Sequence, residues 1–265
     1  MEGVVLVLPE SRPIRIPDGP GCLFPTGGLT AHWQRPASQS RTGIVVLPIQ
    51  AGDYQVSTLL ADHLARCGHH TLRFERRRDW LEADRDPAEL VPHLRQYIRD
   101  VSAGIDLWLE HGEVDPQRLG LMGVSMGAIV GTAVLSADPR LKASVLVIGG
   151  ADLSDILITA EDEAIGEYRN ALKARLGLTD DQLATRIREI LSPVAEMNPT
   201  GKVDPSSILF IASRFDRLIR WPRSTLLWER LGRPRRWILP CGHYSTALFL
   251  PLIKWLAKRW FAGRL

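Results

Sequence analysis

The chain has 265 residues, 45% of them hydrophobic, with 33 Lys plus Arg against 30 Asp plus Glu for a formal net charge of +3. That balance excludes a disordered or collagen-like chain, and the length is enough for one large α/β core without a second, similar domain. The apolar stretch at 247–261 is broken by Lys254, Lys258 and Arg259 and fails as a membrane span, while residues 4–8 are stopped by Pro9 with no basic segment before them, too short for a secretory leader.

Short β-branched runs alternate with helical periodicity along most of the chain, which predicts a mainly parallel sheet with helices on both faces. Residues 4–8 and 29–34 read as two early strands across a Pro/Gly-rich connection, an antiparallel start. A buried strand at 43–48 leads to a helix at 56–66, a strand at 70–74 and, past a charged segment, a long helix at 90–110. A strand at 118–124 ends at a glycine-bracketed serine, and a helix at 128–135 and a strand at 143–148 follow.

From 152 to 200 the alternation stops. Two amphipathic stretches, one with Ile165, Leu172 and Leu176 and one with Leu183, Ile187 and Leu191, read as a helical cap inserted between core segments 1–151 and 201–265. Strands at 207–212 and 236–239 and helices at 222–231 and 247–260 complete the series.

The most informative segment is Gly123-Val124-Ser125-Met126-Gly127, in which an apolar strand runs directly into G-x-S-x-G and then a helix. This is the setting of a nucleophile elbow. A turn that tight leaves no room for side chains two positions either side of the serine, and it lifts the hydroxyl to a helix N-terminus that favours negative charge. A serine hydroxyl needs a base, and His243, after Pro240 and Gly242 at the C-terminal end of the last strand, is better placed than His32, His63, His69, His70, His93 or His111. The imidazole in turn needs a carboxylate. Asp216, just past the strand at 207–212, is the first choice; Asp152, after the preceding strand, is its rival, and pairing of Asp216 with Arg214 or Arg217 is the bland alternative. Backbone N–H groups of Met126 and of the loop after the strand at 43–48 would bind a developing oxyanion, with Gln50 preferred over Ile49 or Ala51.

With these residues in place, the chain from about Gly43 to Trp260 resembles the α/β-hydrolase superfamily, and the run from Asp115 to Ala128 is similar to its esterase and dienelactone-hydrolase-like branches. The resemblance implies an eight-stranded, mostly parallel sheet with helices on both faces and a cap after the sixth strand. The His-Gly pair common in the family's oxyanion loop is replaced here by Pro48-Ile49-Gln50. The expectation is a serine hydrolase of carboxylic esters, thioesters or small amides, acting through an acyl-enzyme on Ser125. An acyltransferase and a non-catalytic binding protein of the same fold are the alternatives.

Other features carry less. Tyr54 could reach substrate, although an aromatic residue at a helix start more often packs on its neighbours; Trp221, Trp228, Trp237, Trp255 and Trp260 read as packing residues. His63, Cys67, His69 and His70 lie close in sequence but without ligand spacing, so no metal is expected, and no P-loop or dinucleotide fingerprint calls for a cofactor. The arginine-rich region from Arg214 to Arg236 reads as a solvated, partly paired face, with an anionic membrane surface as its alternative partner; no nucleic-acid partner is expected. Three widely spaced cysteines, Cys22, Cys67 and Cys241, suit reduced thiols and a cytoplasmic protein.

Overall fold

The structure is a computed structural model describing residues 3–6, 30–50, 54–75, 86–195 and 203–265. The elements run β1 (Gly3–Leu6), β2 (Thr30–Gln34), β3 (Gly43–Leu47), α1 (Tyr54–Arg66), β4 (His70–Glu75), α2 (Leu90–Glu110), β5 (Leu119–Val124), α3 (Met126–Ala137) and β6 (Leu141–Val147). They continue with α4 (Leu153–Thr159), α5 (Glu163–Leu176), α6 (Asp180–Ala195), β7 (Ile208–Ser213), α7 (Trp221–Arg230), β8 (Arg235–Leu239) and α8 (Leu250–Ala262).

The strands form one sheet in the order β1-β2-β4-β3-β5-β6-β7-β8. β1 pairs antiparallel with β2 and β2 with β4, and every pairing from β4 across to β8 is parallel. Parallel strands need both faces covered, and β3 is buried at all five positions. Its alternation divides the core. Ile44 and Val46 pack with Leu60 and Leu64 of α1 and Ile253, Leu256 and Phe261 of α8, while Val45 and Leu47 belong to the cluster that includes Trp108 of α2, Ile129 of α3 and Leu227 of α7. Each fully buried Leu or Ile contributes about 1.5–3 kcal/mol of transfer free energy.

The described residues of the insert between β6 and β7 hold three α-helices, where two were expected. The additional one, α4, is seven residues long, too short to display a helical period, and it is started by Asp152, whose carboxylate accepts from Asp155 N at 3.2 Å. Asp162 caps α5 in the same way, accepting from Ile165 N at 3.1 Å, and Gly177 ends that helix at φ 64°. Thr179 and Gln182 exchange backbone-to-side-chain bonds before α6, a capping box. The last helix also begins later than expected: residues 244–249 form a 3₁₀ turn, and α8 starts at Leu250 with Pro251 in its first turn, where a missing N–H costs nothing.

Much of the arginine-rich region is engaged within the protein. Arg223 bonds Asp152 at 2.9 Å and Asp155 at 2.8 Å, and the Arg236 guanidinium lies 4.2 Å from the ring of Trp221 and 5.1 Å from that of Trp228. Cation–π stacking of this kind lets a cation cover aromatic surface at a sheet edge. No helix among the described residues is long and apolar enough to cross a membrane. Of the histidines near Cys67, His63 bonds Lys254 O and Cys67 Sγ, His69 bonds Thr42 Oγ1 and His70 bonds both Trp33 Nε1 and Ser40 O, and no group of three metal-binding side chains occurs among the described residues.

These buried imidazoles make stability fall in acid. His69 is 6% exposed, and desolvation, followed by the charge of Arg118, lowers its pKa from 6.5 to about 4. Because the unfolded chain takes up this proton first, the neutral-imidazole contribution is whole above about pH 6.5 and is lost as pH falls to about 4. His63 and His70 shift in the same direction, mainly through burial. Urea midpoints measured between pH 7 and 4 should decline by the equivalent of about 2–3 kcal/mol for His69, and a His69→Asn chain should lose correspondingly less.

Candidate active site

Ser125 links the end of β5 to the start of α3 and sits at φ 53°, ψ −117°. That backbone region is strained for any residue with a Cβ, and a serine held there points to a demand on its side chain. The strained turn is pinned on both sides: Ser125 N donates to Val147 O at 2.9 Å, and Ser125 O accepts from Ala128 N at 2.9 Å and Ile129 N at 3.0 Å. The flanking glycines have no alternative. A Cβ on Gly123 would overlap the carbonyl of Gly127, and one on Gly127 would stand 2.8 Å from the carbonyl oxygens of both Leu47 and Pro48. The same close approach brings the chain leaving β3 against the first turn of α3.

Asp216 and His243 follow the neighbouring strands β7 and β8, whose register places Ser213 opposite Leu239. The pairing continues past the sheet, with Arg214 N donating to Leu239 O and Phe215 N to Cys241 O, each at 2.9 Å. Ser213 Oγ also donates to Cys241 O. The two loops are thereby zipped together for three residues, and the carboxylate and imidazole emerge side by side.

The three side chains form one chain of hydrogen bonds. His243 Nδ1 lies 2.7 Å from Asp216 Oδ2, and His243 Nε2 lies 3.0 Å from Ser125 Oγ. An ionised carboxylate only accepts, so Nδ1 carries the proton, Nε2 presents its lone pair, and the Ser125 hydroxyl donates to it. Asp216 cannot rotate away, because its Oδ1 accepts from Leu218 N at 2.9 Å and Ile219 N at 2.8 Å. Its side chain is 2% exposed and that of His243 10%, so the pair is shielded from water on the acid side.

Of the remaining candidates, Met126 is the first residue of α3, where a backbone N–H has no carbonyl of its own helix to bond, and it is 7% exposed. Gln50 is half-buried in the turn after β3. Ala51 lies outside the described residues, as does the side chain of Tyr54, which opens α1. Asp152 does not serve the imidazole: it is held at φ 65°, caps α4 and pairs with Arg223. Sequence reasoning also passed over Tyr244, whose ring meets that of His243 edge-on at 5.5 Å.

No protein-family model matches the sequence, and no curated protein does. Solved structures do match in fold. A Pyrococcus furiosus esterase superposes with a TM-score of 0.60 at 16% identity, covering 89% of this chain and 86% of its own. A cold-adapted esterase from an Arctic intertidal metagenomic library gives 0.58 at 16%, covering 97% and 92%, and the acylaminoacyl peptidase of Pyrococcus horikoshii gives 0.56 at 14%, covering 89% of this chain and 38% of its own.

This is the α/β-hydrolase fold. Within it, Ser125, Asp216 and His243 all stand at the C-terminal ends of strands, the edge where open parallel sheets bind ligands.

Proposed function

We propose that this protein is a cofactor-independent serine hydrolase that cleaves a carboxylic ester through an acyl-enzyme. The observation that carries the reading is the unbroken hydrogen-bond series Ser125–His243–Asp216 with the serine held in a strained turn at a helix N-terminus. As Oγ attacks the ester carbonyl, His243 Nε2 takes its proton, and Asp216 stabilises the imidazolium through Nδ1–H. The backbone N–H groups of Met126 and Gln50 bind the oxyanion. When the intermediate collapses, the C–O bond to the alcohol breaks and His243 returns the proton to that alcohol. Water, deprotonated by the same imidazole, then releases the acid and regenerates the serine.

In this reading helices α4, α5 and α6 act as a cap over this edge of the sheet. The esterase and peptidase names of the fold neighbours fit acyl transfer to water, and nothing in the reaction needs a metal or an organic cofactor. Incubation with a fluorophosphonate probe followed by peptide mapping tests the assignment. Modification of Ser125, together with release of p-nitrophenol from short p-nitrophenyl esters, is the expected result; an unmodified Ser125 in the native protein would mean a binding protein.

A further inference from the structure

Among the described residues, Glu161 and Asp162 of the helical insert, between α4 and α5, bond the loops of the proposed machinery. Glu161 N donates to Arg217 O at 2.9 Å, and the Arg217 guanidinium stands 4.0 Å from the Glu161 carboxylate, so the insert is fastened to the loop that carries Asp216. The next residue reaches the other loop. Asp162 Oδ2 accepts from the phenol of Tyr244 at 2.5 Å, a contact between residues 82 positions apart, while its Oδ1 caps α5. Tyr244 directly follows His243, and their rings meet edge to face.

We infer that Asp162 and Tyr244 are positioning residues through which the helical insert holds His243 in line with Ser125. The inference rests on the hydrolase reading and extends it: the insert would set the base as well as cover the site. Asp216 fixes one end of the imidazole and Phe215 N and Ser213 Oγ hold the loop at Cys241 O; past Cys241 the bonds from Thr246 N and Oγ1 to Gly242 O and from Gly242 N to Ser245 Oγ are internal to the loop. Tyr244 supplies a restraint from outside that loop. Its side chain extends to a carboxylate already immobilised by a helix N-terminus, and an ionic acceptor makes this stronger than a neutral hydrogen bond. Tyr244 is 72% exposed, but partial desolvation of its phenol, then the bond to Asp162, pushes it up to about 12, so it remains a donor wherever an imidazole base operates.

The two residues are separable by substitution. Tyr244→Phe keeps the ring against His243 and removes only the hydroxyl; Asp162→Ser keeps a helix cap of nearly equal strength and leaves no oxygen long enough to reach the phenol. Each is expected to lower kcat for p-nitrophenyl acetate roughly 10-fold with KM within about 2-fold, a modest share of what misplacing a reacting group can cost. The double variant should be no slower than the slower single one, since both remove the same restraint. Urea midpoints taken in parallel separate a loss of folded protein from a loss of turnover. Wild-type kcat in either single variant, or losses that multiply in the double variant, would overturn the inference. Fluorophosphonate labelling tells its failure from that of the underlying reading: no labelling of Ser125 in the wild type removes both, whereas wild-type labelling with unchanged rates in the variants removes this inference alone.

Discussion

Ser125→Ala is expected to lower kcat for any ester substrate by at least about 10⁴-fold, because residues acting as a unit in acyl transfer fail together when the nucleophile is removed. The fold should not suffer. Ser125 is 7% exposed, its Oγ bonds His243, and the backbone bonds that pin the turn use its N–H and C=O rather than its side chain. Alanine, however, inherits the strain of φ 53°. Ser125→Gly does not, since glycine enters that region without a Cβ clash, and it should be more stable than Ser125→Ala by about 1 kcal/mol while being just as inactive. Paired measurements of p-nitrophenol release and urea midpoint on the two variants test both halves. Retained turnover in either would show that the hydroxyl is not the attacking group, and a less stable glycine variant would show that the turn stores no strain.

Why some of this was legible in the sequence follows from where the constraints lie. The elbow is a local object: Gly123 and Gly127 are required by clashes with atoms a few residues away or on the adjacent strand, so five consecutive letters carry the geometry. Asp216 and His243 could be proposed because each follows a short strand, and strands β5, β7 and β8 all run the same way, which sends their trailing loops to one edge. The rival acid could not be dismissed in the same manner. Asp152 also trails a strand, and only the coordinates show its carboxylate turned to Asp155 N and Arg223.

What stayed hidden is long-range and polar. The bond from Tyr244 to Asp162 joins a surface tyrosine to a helix cap, two residues each explicable alone, and no periodicity marks their meeting. Helix α4 escaped for the opposite reason: Leu153, Ile156 and Leu157 are buried as a helical face should be, but seven residues make under two turns, less than a period needs to stand out. Arg236 shows the limit of charge counting, since a guanidinium stacked between Trp221 and Trp228 contributes to net charge while serving as packing.

Asp216→Asn should cost almost as much activity as losing the serine, about 10³- to 10⁴-fold in kcat, although it changes hardly any volume. Hydrogen-bond polarity sets the effect. Leu218 N–H and Ile219 N–H both point at one side-chain oxygen, Oδ1, at 2.9 and 2.8 Å. In the variant the amide oxygen must take that position, because an NH2 group there would face two donors with no acceptor among them. The NH2 is thereby directed at His243 Nδ1, which must now accept. A neutral imidazole accepting at Nδ1 bears its proton at Nε2, and an N–H aimed at Ser125 Oγ cannot remove a proton from it. The base is thus present, correctly placed and in the wrong tautomer. Since the two loop bonds survive, the unfolding midpoint should move little, whereas Asp216→Ala, which leaves two backbone donors unanswered at a site 7% exposed, should lose both turnover and stability. Equal stability losses in the two variants, or an asparagine variant with near-wild-type kcat, would show that the backbone donors do not dictate the orientation of this side chain.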